Sequence, residues 1–235
     1  SENPIRIILD SLIQKGYFFQ FWFFGALIII YLCLPILKKF LNSKNKYLLI
    51  LTLLVIIGLM FELTNYFVKL PVQFYIIQTF RLWTWFFYYI LGGFIAQFNL
   101  DILKKCFKSW MKVITVVLLF TSPLILFAIA KDIHHNLFAE YFYDSILVKA
   151  VSLGTFLTVL TFDLNTDKNR WIIKLSNQTM GVFIIHTYIM KMWEKLVGFS
   201  FAGAHLLFVI FTLSISFIVV GILLKIPYLS RIVKL

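Results

Sequence analysis

Seven long apolar stretches, separated by short segments rich in lysine and polar residues, dominate the pattern of the chain. Each stretch has roughly the 18 residues or more that an α-helix needs to cross the hydrocarbon core of a bilayer. The pattern therefore predicts an all-α fold, a polytopic integral membrane helical bundle of about seven transmembrane helices in a single transmembrane domain, residues 1–235. The predicted spans are residues 18–37, 47–64, 82–98, 112–130, 145–162, 178–197 and 204–224.

The residues before the first span predict a short N-terminal amphipathic helix. Asn3 can cap its first turn, Pro4 suits the first helical position, and Gly16 suits its end. A helix of this kind is typical of one that lies along a membrane surface. Its apolar stripe consists of Ile5, Ile8, Leu9 and Leu12.

Composition supports a membrane environment and argues against a nucleic-acid partner. The chain is 61% hydrophobic and 14% charged, whereas an ordinary globular domain is about 45–50% apolar and about 25% charged. The net charge is +12, but the basic residues occur in short clusters between apolar stretches, without an aromatic-interleaved basic patch. We therefore expect membrane lipid, and not nucleic acid, among the partners.

The cysteines and the paired histidines give no metal-binding pattern. Cys33 lies inside an apolar stretch and Cys106 in a lysine cluster, so neither a structural disulfide nor a CxxC metal site is expected. His134 and His135 are adjacent in a predicted outer loop, and adjacent residues on a helix point about 100° apart. We interpret them as part of a solvated loop, and we expect no metal and no bound cofactor.

The distribution of basic residues predicts the orientation, because lysine and arginine gather in cytoplasmic loops. The C-terminus is then cytoplasmic and the N-terminus of this chain lies outside, in a multi-pass protein of the cell membrane. An N-terminus outside the cell would be explained if an odd number of further spans preceded residue 1. The alternative is a complete seven-span protein with an external N-terminus. The basic side carries Lys38, Lys39, Lys44, Lys46, Lys104, Lys105, Lys108, Lys112, Lys168, Arg170, Lys174, Lys225, Arg231 and Lys234.

Ionisable residues at the predicted outer ends of the spans are candidates for substrate binding, because charges inside a bilayer are costly. Glu62 ends the second span and Arg81 begins the third, so the two side chains could pair or line an outward-facing polar pocket. Asp144 is expected to cap the fifth span. Lys149 lies further along that span, where it either extends outward or faces the bundle and holds an anion.

His186 is the histidine nearest the middle of the predicted membrane, in GVFIIHTYIMKMW, residues 181–193. Its face of the helix should turn into the bundle, because lipid tails cannot satisfy an imidazole. A neutral imidazole that donates to a neighbouring helix is one interpretation. Substrate contact or proton transfer is the other, which leaves His186 as a weak candidate for the catalytic base.

Four segments of the chain resemble the membrane acyltransferase type 3 family, and their order and spacing match its later part. One resembles a Trp-Phe…Tyr…Pro span, one an aromatic span that ends in a glycine turn, one a late span with a histidine, and one a closing Ile-Pro segment. They are QFWFFGALIIIYLCLPIL at 20–37, RLWTWFFYYILGGFIAQF at 81–98, LSNQTMGVFIIHTYIMKMW at 175–193 and IPYLSRIVKL at 226–235.

The resemblance implies a membrane enzyme that moves an acyl group, often acetyl, from cytoplasmic acyl-CoA as co-substrate to cell-envelope polysaccharide or a lipid-linked sugar. The family's presumed catalytic histidine lies in an Arg-x10-His motif that this chain does not contain, so the base is expected upstream of residue 1 and the fragment could be inactive alone. His186 matches a late family histidine. Trp22 and Tyr31 would offer aromatic platforms for a sugar, and Glu62 and Arg81 hydrogen bonds.

Two other functions stay open at this stage. A transporter or exporter of envelope saccharides would favour broken helices and internal repeats, and Gly92-Gly93 is a place where a helix could break. A seven-span sensor would need a ligand pocket in the bundle. The retinal-binding version of a sensor is excluded, because residues 204–224 contain no lysine.

Overall fold

A computed structural model describes residues 3–15, 18–68, 70–135, 143–162, 170–199 and 204–228. The chain divides into two compact units, Ser1–Phe162 and Asp163–Leu235. Every regular element in the described ranges is helical. The all-α prediction is therefore confirmed for this part of the chain, and the single-domain interpretation stays a prediction.

The first unit contains seven α-helices among its described residues. Short 3-10 turns at Phe19–Phe21, Val72–Phe74 and Gln78–Phe80 lie between them, and a wider turn, Ile129–Ile133, extends the sixth helix. The helices are α1 (Pro4–Leu12), α2 (Trp22–Phe40), α3 (Lys44–Asn65), α4 (Leu82–Ile95), α5 (Leu100–Cys106), α6 (Ser109–Ala128) and α7 (Ile146–Leu160).

The second unit contains α8 (Arg170–Ser176), α9 (Thr179–Leu196) and α10 (Ala204–Leu223). Helices α9 and α10 pack against each other through aromatic rings and small residues. The indole of Trp193 contacts the ring of Phe211 at 5.1 Å between centroids, and its Nε1 donates to the carbonyl of Gly198 at 3.0 Å. Gly198 has a φ of +70°, which suits glycine after a helix end.

Four helical segments of the described chain are long and apolar enough to cross a membrane, which defines a multi-pass membrane protein. A fifth is obtained if α4 and α5, bent by 106°, count as one broken span. Helix α7 has only 15 residues, and α9 carries Lys191, Glu194 and Lys195 among its 18 residues. Every predicted span contains a helix, but seven crossings stay a prediction. The four segments are Phe19–Phe40, Lys44–Asn65, Ser109–Ile133 and Ala204–Leu223.

The apolar surface of these helices is what a bilayer requires. Leu32 is 75% exposed and Phe120 is 72% exposed, and a soluble monomer rarely leaves wide apolar patches in water. The apolar core is correspondingly small, and one cluster joins α3 and α4 through Leu51, Phe87 and Ile90. Lipid-facing leucine and phenylalanine therefore account for much of the hydrophobic composition.

Helix α1 begins as its sequence predicts, because the Asn3 side chain accepts a hydrogen bond from the Ile5 amide at 3.0 Å. The end of α1 docks on the first unit, where the Thr79 hydroxyl donates to the Leu12 carbonyl at 2.7 Å. Gly25 of α2 lies against the same carbonyl and leaves no room for a Cβ. Ile5, Ile8 and Leu9 stay exposed, and the predicted stop at Gly16 lies outside the described residues.

Candidate functional site

A group of buried polar side chains occupies one end of the first unit, where α3 ends and α4 and α7 begin. We call it the polar cluster. The cluster lies at the end of the unit opposite to the connections that carry Lys38, Lys39 and Lys44, because α2 and α3 run in opposite directions between the two ends. Its members are Glu62, Asn65, Gln73, Arg81, Asp144 and Lys149.

The connection from α3 to α4 folds inward and supplies the centre of the cluster. Asn65 Oδ1 accepts from the Val72 amide at 2.9 Å, and Asn65 Nδ2 donates to Gln73 Oε1 at 2.7 Å. The Gln73 side chain is fully buried. Since a buried amide must find partners for both its donor and its acceptor, Gln73 fixes the position of this connection.

Asp144 joins this connection to the start of α7. Its Oδ2 accepts from Gln73 Nε2 at 2.8 Å and from Trp83 Nε1 at 2.9 Å. The prediction that Asp144 caps α7 is wrong, because Ser145 is the cap and its hydroxyl accepts from the Val148 amide at 3.2 Å. The Asp144 carboxylate binds Gln73 and Trp83, which are distant in sequence, and Ser145 caps the helix.

Arg81 is 2% exposed, and its guanidinium binds the connection from α3 to α4. Its Nε donates to the Ile76 carbonyl at 2.9 Å, and its terminal nitrogen donates to the Gln73 carbonyl at 2.6 Å. These carbonyls belong to a segment without a continuous helix, whose own backbone supplies one bond, from the Ile76 amide to the Gln73 carbonyl at 3.3 Å. The guanidinium therefore acts as a fixed two-pronged donor, and its predicted role in substrate binding is untested.

Lys149 faces the interior of the unit, which was one of the two orientations expected for it. It is buried, its ammonium donates to the main-chain carbonyl of Asp144, and it lies 5.5 Å from the centre of the Phe87 ring. Gly58 of α3 makes room for it, since a Cβ there would lie 2.5 Å from Lys149 Nζ. The ammonium is thus held at the start of α7, on the main chain of the residue whose carboxylate binds Gln73 and Trp83.

A small cavity of about 20 Å³ opens beside the cluster. This volume suits about one water molecule, which needs two to four polar partners. Glu62 lines it and already accepts from the Ile146 amide at 3.0 Å through Oε2. Asp144 and His134 also line the cavity, so two carboxylates and an imidazole surround a space about the size of one water molecule.

His134 is more enclosed than a solvated-loop histidine, because its ring lies 5.7 Å from the ring of Tyr66. Burial lowers the pKa of His134 below its ordinary value of 6.5. The folded state therefore binds fewer protons than the unfolded state as the pH falls below that value, and stability decreases with acidification.

We expect His134→Gln to weaken the acid sensitivity of the protein, because the variant removes this titration and leaves the two carboxylates. The loss in Tm between about pH 7.5 and about pH 5.5 should be smaller in the variant than in the wild type. Thermal unfolding of the detergent-solubilised protein at both pH values measures this difference. His135→Gln, at the exposed neighbouring position, is the control, and equal losses in wild type and His134→Gln would contradict the prediction.

The two aromatic candidates lie in different surroundings. The Trp22 ring packs on Trp85 at 4.8 Å between centroids, and Trp85 Nε1 donates to the Gln78 carbonyl at 2.7 Å. Tyr31 lies further along α2, is 53% exposed, and contacts the Tyr89 ring at 6.4 Å. The structure therefore places Trp22 near the inward-folded connection and Tyr31 on the exposed surface of α2.

His186 lies in the second unit and is half-buried. Its Nδ1 is 2.7 Å from the Phe183 carbonyl and 3.2 Å from the Val182 carbonyl. Both carbonyls belong to its own helix, α9, so the described hydrogen bonds do not run to a neighbouring helix as expected. Both partners are carbonyl oxygens, so Nδ1 is the donor in these contacts.

Sequence analysis missed the uncharged members of the cluster. Asn65 ends an apolar helix, and Gln73 lies in the connection between Pro71 and Arg81. The available signal was a glutamine within a short, proline-containing connection. No group of three or more residues that could hold a metal ion occurs in the parts of the chain that the structure describes.

The helices and the polar cluster define a class of protein, a multi-pass membrane protein with a buried polar site at one end of its bundle. The family follows from comparison. The model of the acyltransferase 3 family, described as an acyltransferase domain, matches residues 5–224. The chain therefore belongs to the acyltransferase 3 family, as the sequence resemblance predicted, and this membership indicates acyltransferase activity. Neither the curated proteins nor the solved structures gave a match.

Proposed function

We propose that this protein is an O-acyltransferase that modifies cell-envelope polysaccharide or a lipid-linked glycan with an acyl group, typically acetyl, from cytoplasmic acyl-CoA. The observation that carries the proposal is the family match across residues 5–224. In this reaction an acceptor hydroxyl attacks the thioester carbonyl, a new ester bond forms, and the carbon–sulfur bond breaks. The hydroxyl proton leaves to a base, and CoA departs as the thiol.

The first unit carries lysines at one end and the polar cluster at the other. This difference supports binding of the acyl donor at one end and of the acyl acceptor at the other. Lysines at one end would face the cytoplasm and the acyl-CoA, in a layout of seven crossings with the C-terminus inside. The polar cluster at the other end would face outward and receive the glycan. In this proposal Glu62 and Lys149 provide polar groups at the outer end, and Trp22 and Tyr31 provide aromatic surfaces for sugar rings.

Glu62 offers the sharpest test of the acceptor end, because it lines the cavity and is only half-buried. We expect Glu62→Ala to reduce transfer to the glycan about tenfold or more, since a hydrogen bond to a charged group is worth about 1.5–3 kcal/mol. Glu62→Gln keeps an oxygen for the Ile146 amide and should lose less. The ester content of the envelope glycan, normalised to the amount of folded protein, measures the effect.

Glu194→Gln is the matched control for this experiment, because Glu194 is an exposed glutamate on α9 of the second unit and is not a member of the cluster. It should leave the ester content unchanged. If Glu62→Ala retained the wild-type ester content at equal protein level, the assignment of Glu62 to acceptor binding would be lost.

The bend of 106° between α4 and α5 favours saccharide transport as a second candidate function. Broken helices near a substrate path are a feature of secondary transporters. The break follows Ile95, and Gly92 and Gly93 lie within α4. Acyl transfer requires acyl-CoA, whereas export of an unmodified saccharide does not, so saccharide movement in the absence of acyl-CoA would favour this candidate.

A further inference from the structure

A second and much larger cavity lies entirely within the second unit, between the start of α9 and the end of α10. Its volume is about 670 Å³, which is within the range of about 300–1,000 Å³ that small-molecule sites occupy. Lys174, Asn177 and Gln178 line one side, and Lys225 lies at the end of α10. Phe217 and Ile222 of α10 contribute an apolar wall.

Gln178 is the polar group that points to a ligand. Its side chain is 5% exposed and lines the cavity, yet no hydrogen bond to this amide occurs within the described part of the chain. Because the side chain lines the cavity, a ligand bound there could accept a hydrogen bond from the amide. Gly221 keeps space open beside it, because a Cβ there would lie 3.6 Å from Gln178 Nε2.

The start of α9 adds a positive end to the same cavity. Gln178 is its N-terminal flanking residue, and no side chain caps the helix. The first amides of an α-helix lack intrahelical acceptors and carry partial positive charge, which attracts anions. Because Gln178 both flanks α9 and lines the cavity, the positive end of this helix lies beside the cavity.

Charge on the cavity wall has one sign. Lys174 and Lys225 both line it, and its described lining contains no aspartate or glutamate. The carbonyl end of α10 would disfavour an anion, but the carbonyls of Val220 and Ile222 accept from the amides of Leu224 and Lys225 at 2.9 and 3.0 Å. The balance favours an anion at the polar side and an apolar group along Phe217.

We propose that this cavity binds a phosphate group joined to an apolar chain. Lys174 and Lys225 pair with the phosphate oxygens, the Gln178 amide donates to them, and the wall at Phe217 and Ile222 holds the chain. Two sources carry such a phosphate: an anionic membrane phospholipid, whose acyl chain fits the apolar wall, and CoA, which would place its pantetheine arm there. The CoA source rests on the proposed acyltransferase function, and the lipid source does not.

Binding to the purified full-length chain in detergent tests the proposal with two probes, a short-chain phosphatidylglycerol and CoA, each measured by titration calorimetry. The double variant Lys174→Gln and Lys225→Gln should weaken binding of the true ligand about tenfold or more. Lys191→Gln with Lys195→Gln, an exposed pair near the end of α9, is the matched control and should change binding less than about twofold. Gly221→Leu should fill the space beside Gln178 and also reduce binding.

The outcomes separate the two sources. Binding of phosphatidylglycerol that depends on the two lysines assigns the site to a membrane lipid, and the same dependence for CoA assigns it to the donor. Binding of neither probe, or binding that ignores the lysine variants, overturns the proposal even if Gly221→Leu fails to fold. Acyl transfer to glycan is measured separately, so loss of the lipid site leaves the proposed function standing.

Discussion

Replacement of Arg81 by alanine is expected to cause a large loss of stability. The change leaves the Ile76 carbonyl without its donor and removes the charged donor of the Gln73 carbonyl, which keeps only the Ile76 amide at 3.3 Å. Each loss costs about 1–3 kcal/mol. The sum of roughly 2–6 kcal/mol should lower Tm by several degrees or more, because 1 kcal/mol moves the midpoint by about 2–4 °C in a chain of about this size. Thermal unfolding in detergent, with size-exclusion chromatography for the folded fraction, measures the effect.

Arg6→Ala is the control, because Arg6 contacts Asp10 at 3.6 Å from a fully solvated position and exposed ion pairs contribute little, about 0–1 kcal/mol. Arg81→Lys keeps the charge but cannot reproduce the planar fork of donors, so it should fall between wild type and alanine. A normal Tm for Arg81→Ala combined with lost acyl transfer would contradict a supporting role and favour direct substrate binding by Arg81.

The contact between α6 and α7 at Gly154 is the second place where a small change should have a large effect. A Cβ on Gly154 would lie 2.6 Å from Thr115 Oγ1 and 3.0 Å from its methyl carbon. Thr115 is buried and its hydroxyl donates to the Met111 carbonyl at 2.9 Å, so it has little freedom to move. We expect Gly154→Ala to cost about 1–3 kcal/mol, the usual range for overpacking.

The double variant Thr115→Ala with Gly154→Ala should recover most of this loss, because it removes both close atoms and leaves only Thr115 Cβ at 3.3 Å. Non-additivity of about 0.5–3 kcal/mol in unfolding free energy is the expected signature of the contact. Gly92→Ala is the control, since no heavy atom lies within 4 Å of a Cβ there. Strict additivity, or equal effects of Gly154→Ala and Gly92→Ala, would refute the close packing.

The Gly154 contact also affects the candidate site, because α7 carries Lys149 five residues earlier and begins next to Asp144. A shift of α7 relative to α6 would move both groups relative to Gln73 and Trp83. In the Gly154 variants, glycan ester content should therefore fall together with Tm.

Much of the helical architecture was predictable because its causes are local. Asn3 and Pro4 define the start of α1, and runs of apolar residues define the helices of every predicted span. The bend after Ile95 was not predicted, because Gly92 and Gly93, the expected breaking point, lie inside a continuous helix. The chain turns instead at the polar residues before α5, which Asn99 caps through the Asp101 amide at 3.0 Å.

The candidate site was predictable only in part. Glu62, Arg81 and Lys149 could be selected because a charge in an apolar sequence is conspicuous, and the structure brings all three to the same end of the first unit. The direction in which these side chains point could not be predicted, because a charged side chain near a helix end can extend to water or turn towards the protein interior. Gln73 carries no charge and no periodicity, so its position in a short connection that contains Pro71 was the one local signal.

By itself, therefore, the sequence determined that this protein is helical, membrane-embedded and a member of the acyltransferase 3 family, because hydrophobicity, helix starts and family motifs are written in consecutive residues. The tertiary structure alone decided the arrangement of the polar cluster. Asp144 meets Gln73 across 71 residues of chain and Trp83 across 61. Such pairings depend on how buried donors and acceptors are satisfied once the helices pack, which no local pattern specifies.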